Sequence, residues 1–344
     1  MKRIGEHFHG WMYAVFALVT LCVFFACVSF GSVGIPLKDT LRVITDAVHG
    51  VPSAEALKLA RSVIIPVRLP RVLCVALVGA SLALAGAAMQ GLLKNPLADG
   101  STLGVSSGAS LGAVIAIAFG ITFPKLPFTG TMVMAILFAL LSLLIILGLA
   151  YRLDCSLSTN TIILIGVIFS MFASSIMSII ITFASDHIKS ITFWMMGSLQ
   201  GASYRNAAVL AVTLLVCGIV LLFHANELNA FAVGEDNARQ IGVNVRRVRL
   251  VVLITVSCLI GVCVSIGGTI GFVGLVTPHM VRMIVGPNHK RLLPASMFSG
   301  AVFLMLADLV ARTLLNPREL PIGVVTSIVG AIVFVCIYYR SRRR

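Results

Sequence analysis

Apolar residues run along this chain in long blocks, separated by short polar breaks, almost from one end to the other. A helix needs about 20 apolar residues to cross a membrane's hydrocarbon core. Blocks at about 11–31, 64–90, 97–119, 129–150, 160–183, 206–224, 248–266, 270–286, 293–313 and 321–339 meet or approach that length. The pattern predicts an all-α integral membrane protein with about ten transmembrane helices. Because the blocks recur throughout, residues 1–344 are read as a single transmembrane domain. Several blocks, 270–286 above all, are broken by Gly and Pro. Non-helical backbone at membrane depth is tolerated only where protein or a water-filled cavity covers it, so such breaks are expected beside a path through the molecule. The first block follows Lys2 and Arg3, as a signal peptide would. Its length and the lack of an A-x-A site make it the first span instead.

The stretch from Arg68 to Gly112 is unusually rich in small residues, with a polar break at Lys94-Asn95-Pro96. Small residues let membrane helices pack with their backbones close. This stretch is therefore expected to form a tightly packed helical hairpin.

Composition agrees with the pattern. The chain is 59% hydrophobic and only 11% charged, with mean hydropathy +1.05, where a soluble domain carries roughly 25% charged residues. A net charge of +14 would fit nucleic acid, but the basic residues flank apolar spans and do not gather on one soluble face. No nucleic-acid partner is expected; the partner of these charges is the lipid bilayer. Ten spans put both termini on one side, together with Arg239, Arg246, Arg247, Arg249, Lys290, Arg291 and the Arg-rich tail from Arg340 to Arg344. The positive-inside rule makes that side cytoplasmic. The segment 32–63 then lies outside despite Lys38, Arg42, Lys58 and Arg61; it also carries Asp39, Asp46 and Glu55 and reads as an extracytoplasmic helical segment. The eight cysteines form no C-x-x-C pair and sit in or beside apolar runs, as small hydrophobes do.

No G-x-x-x-x-G-K-[ST], H-E-x-x-H or G-x-S-x-G motif occurs, so neither a phosphate-cradling loop nor a hydrolase or metalloprotease site is expected. The histidines are scattered; His49 and His187 fall outside the membrane and read as loop residues. No catalytic residue, metal site or cofactor is expected in the chain, which is not read as an enzyme.

Four features carry chemistry of another kind. The first is the polar loop 225–246, with apolar positions at Leu228, Phe231, Val233 and Ile241; two short helices around Gly234 would make either an amphipathic connector or a docking surface. The second is a set of arginines at outer helix ends, Arg68 and Arg71 in R-L-P-R and Arg312 in A-D-L-V-A-R. Arginine there either anchors the helix at the interface or pairs with a partner's carboxylates. Asp308, one turn from Arg312, is expected to pair with it locally. The third is Asn95 and Leu97 in N-P-L-A, with Ser158, Thr159 and Asn160 opening the fifth span. These read as helix caps or as a constriction at the cytoplasmic mouth. The fourth is the glycine-rich run from Gly267 to Arg282, where glycine's cost in a helix implies close contact or a kinked cavity wall. His279 beside Pro278 reads as structural.

Together these segments resemble the FecCD, or BtuC-like, permeases, the membrane subunits of type II ABC importers for iron–siderophores, haem and cobalamin. The resemblance rests on the Arg68–Gly112 stretch, on G-E-D-x-A-R-x-x-G from Gly234, on G-x-I-x-F-V-G-L-x-x-P-H within 268–279, and on L-P-I-G-V-V-T near Leu320. It implies a BtuC-like fold with loop 225–246 docking on a cytoplasmic ABC ATPase dimer through Gly234, Glu235, Ala238, Arg239 and Gly242. It implies that Arg68, Arg71 and Arg312 receive an extracytoplasmic substrate-binding protein. Asn95, Leu97, Ser158, Thr159 and Asn160 become a cytoplasmic gate, with Asn160 departing from the family's serine. A second permease, identical or related, would complete the pathway in a bacterial cytoplasmic (inner) membrane, and ATP and Mg would act on the ATPase. The run S-I-T-F-W-M-M-G-S-L at 190–199 leans toward a ferric siderophore over haem or cobalamin. The alternative is an ion-gradient-driven secondary transporter, disfavoured because only Asp308 looks deeply placed.

Overall fold

The computed structural model describes residues 10–31, 34–51, 55–124, 128–155 and 158–342, all in helices and loops. Lys2 and Arg3, which precede the first block, and Arg343 and Arg344 of the basic tail lie outside the described residues. The spans are α1 (Trp11–Ser29), α4 (Leu69–Leu92), α5 (Val105–Ala118), α6 (Gly130–Leu153), α7 (Thr159–Phe183), α9 (Tyr204–Phe223), α12 (Val245–Gly267), α13 (Val273–Val285), α14 (His289–Thr313) and α15 (Ile322–Arg342). Between them lie α2 (Leu37–Val48) and α3 (Lys58–Val63) at one end, α8 (Ile188–Met195) at the same end, and α10 (Ala225–Val233) and α11 (Glu235–Gln240) at the other. Among the described residues, seven helices are long and apolar enough to cross a membrane, and α5, α13 and the apolar part of α15 are shorter. The expected ten spans are present. Below, the end where α1 begins is called inner, following the charge distribution.

Helix α4 is the axis of the molecule, with most of its residues buried. Three of its glycines decide what it touches. A Cβ on Gly79 would collide with the carbonyl oxygen of Gly300 in α14, and one on Gly91 with the His289 ring. At Gly86 the backbone of Gly274 in α13 leaves no room for a side chain at all. Backbone-to-backbone contact of this kind is what small residues allow between membrane helices. The expected hairpin is corrected here: α4 pairs with α14, α13 and α12, while α5 packs against α6 and α7. Gly108 and Gly112 of α5 meet Ser142, Phe138 and Met134 of α6 instead.

What separates α4 from α5 is a re-entrant segment. After Leu92 the chain turns at Lys94, whose φ is +50°, and Asn95 Oδ1 accepts the Leu97 N–H at 2.9 Å. The chain then climbs back until Asp99 lies beside Gly274, whose hypothetical Cβ would meet both Asp99 Oδ1 and the Leu82 carbonyl. Leu82 is ten residues before the end of α4, about 15 Å up the helix. Asp99 Oδ1 accepts the Gly100 N–H at 2.6 Å and opens a short 3-10 turn, Gly100–Leu103. Gly104, at φ +76°, then starts α5. The expected helix at 97–119 therefore shortens to Val105–Ala118, because Pro96, Asp99 and two glycines spend its first eight residues on the return.

Helix α13 is broken in a complementary way. Pro278 has no N–H to give the carbonyl of Gly274, four residues earlier. Gln90 of α4, 3% exposed, supplies the missing donor: its Nε2 reaches the Gly274 oxygen at 3.3 Å and the Leu275 oxygen at 3.1 Å. A proline inside a membrane helix is tolerated when a neighbour satisfies the freed carbonyl, and here one side chain does so.

Candidate functional site

The short helices α5 and α13 both begin inside the bundle, and a cavity of about 480 Å³ lies where they begin. Its wall combines Leu97, Asp99 and Gly100 of the re-entrant segment with Ser106, Ser107 and Ser110 of α5, apolar residues of α4 and α12, and the loop 268–272. The glycine-rich run thus becomes a cavity wall, as expected. Gly268 and Phe272 hold positive φ there, and Thr269 donates its hydroxyl to the Met195 carbonyl. The loop is further pinned at its outer side by Ser198 N–H to the Gly267 carbonyl at 2.8 Å. A second, more polar cavity of about 540 Å³ opens at the outer ends of α6, α9 and α12. Ser190, Phe193, Trp194 and Ser198, from the 190–199 run, line it with Arg205 and Asn206.

The three outer arginines form one buried cluster. Arg71 donates from Nε and Nη2 to Asp308 Oδ1 at 3.1 and 2.9 Å, and from Nη1 to Glu319 Oε2 at 2.8 Å. Arg312 pairs with Asp308 Oδ2 at 3.2 Å, the expected one-turn pair, and donates to the Cys27 carbonyl. Arg68 donates to the carbonyls of Val28 and Ser29 at 3.2 and 2.8 Å, capping the end of α1 where helix carbonyls lack partners. All three arginines are at most 8% exposed and Asp308 is 1% exposed. In this chain alone their heads are engaged in internal bonds, and Glu319, about one third exposed, is the member that faces outward. The sequence reading missed Glu319.

At the inner mouth the capping reading is realised. Ser158 Oγ accepts the Thr161 N–H and meets the Thr161 hydroxyl at 2.9 Å, and Asp154 Oδ2 accepts from Ser158 N at 3.0 Å. Thr159 and Asn160 are the first residues of α7, and Asn160 is exposed. Leu97 lines the cavity, whereas Ser158, Thr159 and Asn160 do not. His279, read as structural, tilts its ring against Phe334 of α15 at 6.1 Å.

The outer face of α7 carries a stripe that the sequence reading overlooked. Ser174, Ser175, Ser178 and Thr182 are exposed on the side of a membrane-spanning helix. The hydroxyls of Ser175, Ser178 and Thr182 donate to carbonyls four residues back, at 2.8–3.0 Å. Back-bonding satisfies the hydroxyl protons and leaves oxygen lone pairs facing out, beside the exposed apolar side chains of Met171, Phe172, Ile179 and Phe183.

The loop 225–246 does fold as two short helices about Gly234, whose φ of +148° needs glycine. Its apolar positions divide. Leu228 and Phe231 are fully buried and anchor the segment, while Val233 and Ile241 are 74% and 72% exposed. Among the expected docking residues, Arg239 is exposed and Gly242 has open space around it. Ala238 is fully buried, and Glu235 turns inward to Arg249 on α12. Asn229 ties α10 to α14: its side chain bonds Asn288 and the backbone and ring of His289 at 2.8–3.0 Å.

Among known proteins, the model of the FecCD transport family matches residues 18–340. The chain is 41% identical over 316 residues to an uncharacterised ABC transporter permease protein, YvrB, of Bacillus subtilis, covering 92% of this chain and 90% of that protein. It is 38% identical over 305 residues to the vitamin B12 import system permease protein BtuC of Vibrio vulnificus, covering 88% and 90%. A solved structure described as an inward-facing conformation of a transporter assigned to the metal-chelate ABC type superposes with TM-score 0.84 at 31% identity, over 96% of this chain and all of that one.

Proposed function

The chain belongs to the FecCD transport family, whose members are permease subunits of type II ABC importers, and from that premise we propose how it works and what it carries. It is a transport subunit, with ATP hydrolysis on a separate chain. Two permeases, two copies of this chain or this chain and a relative, face each other across the hydroxyl stripe of α7. A cavity of about 480 Å³ has the size of a drug-sized ligand site, too small for a bulky chelate with its organic shell. The path for such a cargo is therefore formed between two chains.

An acidic partner above, a substrate-binding protein, docks at the outer cluster by exchange. A carboxylate from the partner takes the place of Glu319 on Arg71, while Asp308 continues to hold Arg71 and Arg312 in position. Below, an ABC ATPase dimer holding ATP and Mg binds the surface of α10 and α11 at Val233, Arg239 and Ile241. Leu97 and the start of α7 at Ser158, Thr159 and Asn160, with Asn95 fixing the turn, close the inner mouth.

The cargo is a metal chelate. The observation that carries this reading is the near full-length likeness to a metal-chelate transporter together with relatives named for vitamin B12 import. A corrinoid is accordingly the first compound to test. The aromatic and methionine-rich run at 190–199, which lines the outer cavity through Phe193 and Trp194, supports a ferric siderophore as the second. Expression of the chain with the ATPase and binding protein of its own cell, followed by uptake of cobalamin, haem and a ferric siderophore offered separately, tests the assignment. Saturable uptake of the corrinoid alone is expected. Uptake of the siderophore alone replaces the substrate but keeps the importer, and failure to retain any ATPase on purification contradicts the importer.

A further inference from the structure

Among the described residues, the largest fully buried side chain carries a charge. Arg249, in the second turn of α12, is 0% exposed. Its Nη2 holds Glu235, the first residue of α11, in a contact between residues 14 apart in sequence. Buried charges persist only when paired, and removing one partner is costly because the other is left uncompensated. Only one end of the pair has solvent access, through Glu235, about one quarter exposed. The two elements it joins have different duties. Helix α11 belongs to the segment whose outer surface carries Val233, Arg239 and Ile241. Helix α12 runs from that contact up through the bundle, and its far half supplies Ile260, Cys263 and Val264 to the central cavity before ending in the loop 268–272.

We propose that the Glu235–Arg249 pair is a positioning link that makes α11 and α12 move as one body, so that displacement of the coupling segment is delivered to the cavity wall. This rests on the ATPase-driven importer proposed above, and extends it to a pair that does not itself touch ATP, ATPase or cargo. The geometry favours a link over a docking contact. Glu235 faces Arg249 and not outward, Ala238 behind it is fully buried, and the neighbouring turn is closed by the Val243 N–H to the Ala238 carbonyl at 3.0 Å. The other tether of the segment, Asn229 to Asn288 and His289, is made of neutral hydrogen bonds to the first turn of α14. The charged tether is a charge-assisted bond, stronger than any one of these neutral bonds, and it leads to the helix that lines the cavity.

The test uses the full complex in proteoliposomes, with wild type, Glu235→Gln, Arg249→Lys and the exchange Glu235→Arg/Arg249→Glu. ATP hydrolysis and cargo uptake are measured on the same preparation. Glu235→Gln is expected to retain the ATPase and hydrolyse ATP while moving roughly five- to tenfold less cargo per ATP, within the roughly two- to thirtyfold span of effects of altered coupling. Arg249→Lys is expected to fall between it and wild type, because charge is kept and fork geometry lost. Recovery in the exchange variant adds support. An unchanged ratio of cargo to ATP in variants that retain the ATPase overturns the proposal and leaves the pair a fold anchor. Wild type without an ATPase partner fails the importer reading instead. Should the variants not assemble, spin labels at exposed Asp236 and Arg247 answer in the otherwise intact complex, with exposed Cys22, Cys155 and Cys336 replaced. Their separation is expected to stay constant between nucleotide-free and ATP-bound states, while that from Asp236 to a label at Lys189 on the outer end changes. A separation between 236 and 247 that changes with nucleotide contradicts the single-body link.

Discussion

Asp308 holds two arginines from two helices at once, and its removal is the sharpest residue-level test of the outer cluster. Asp308→Asn leaves Arg71 and Arg312 buried without their common carboxylate, a loss of about 3–5 kcal/mol for a buried pair broken from one side. A clear drop in the unfolding midpoint of the purified protein is expected, whereas Glu319→Gln, at the exposed edge, is expected to leave the midpoint nearly unchanged. Equal effects of the two substitutions contradict the assignment of anchor and edge. Gln90→Leu is the second test. It removes the donor that serves the carbonyl freed by Pro278, at about 1–3 kcal/mol, and Gln90→Glu restores no donor and is expected to do no better. Stability equal to wild type in Gln90→Leu means that α13 satisfies that carbonyl in another way. These pairings explain why the sequence was readable only in part at this scale. Arg71, Arg312 and Asp308 are visible as charges at helix ends, and the one-turn pair follows from spacing. The bond from Arg71 to Asp308 spans 237 positions, and nothing local marks it. Arg249 stands among Arg246 and Arg247 in a run that reads as membrane-flanking charge, and only the fold separates the buried arginine from its exposed neighbours.

Elements were the most legible level, because the length of an apolar run is fixed by bilayer thickness and needs no partner to be recognised. The ten spans, the helical outer segment and the two short helices about Gly234 all follow from such local signals. The partners of those spans do not. Glycines in α4 announce a close contact, yet Gly79, Gly86 and Gly91 have no feature that says whether α5, α13 or α14 will fill the space. The re-entrant segment was misread for a related reason: residues 97–104 run straight into the apolar block of α5, and it is Asp99 with the nearby glycines Gly100 and Gly104 that turns them back. The division within the segment 225–246 supplies the element-scale prediction. Val233 and Ile241 are exposed apolar residues on a polar loop, while Leu228 and Phe231 are spent on anchoring it. Val233→Ser with Ile241→Ser is expected to weaken ATPase association about tenfold or more, as loss of apolar anchors at an interface does, without lowering the stability of the permease alone. The same double substitution leaving association intact places the docking surface elsewhere, and Leu228→Ser is expected instead to destabilise the permease itself.

At the scale of the whole molecule, the structure places a buried outer ion cluster, a small central cavity beside two interrupted helices, and a segment with exposed apolar residues along one bundle. Their order from outer to inner end fits cargo delivered from above and released by work done below. A charge-relay transporter needs ionisable groups that can change state along the path, yet Asp308 is clamped by Arg71 and Arg312, and Asp99 accepts the N–H that starts a turn. The central claim is that ATP hydrolysis on a partner chain drives import through this permease. The measurement that tests it most directly is uptake of a radiolabelled corrinoid into proteoliposomes holding the permease with its ATPase and binding protein, with ATP supplied on the side of α10 and α11. Uptake that needs hydrolysable ATP and survives collapse of the proton and sodium gradients is predicted. Uptake that ignores ATP and stops when those gradients collapse would contradict the account.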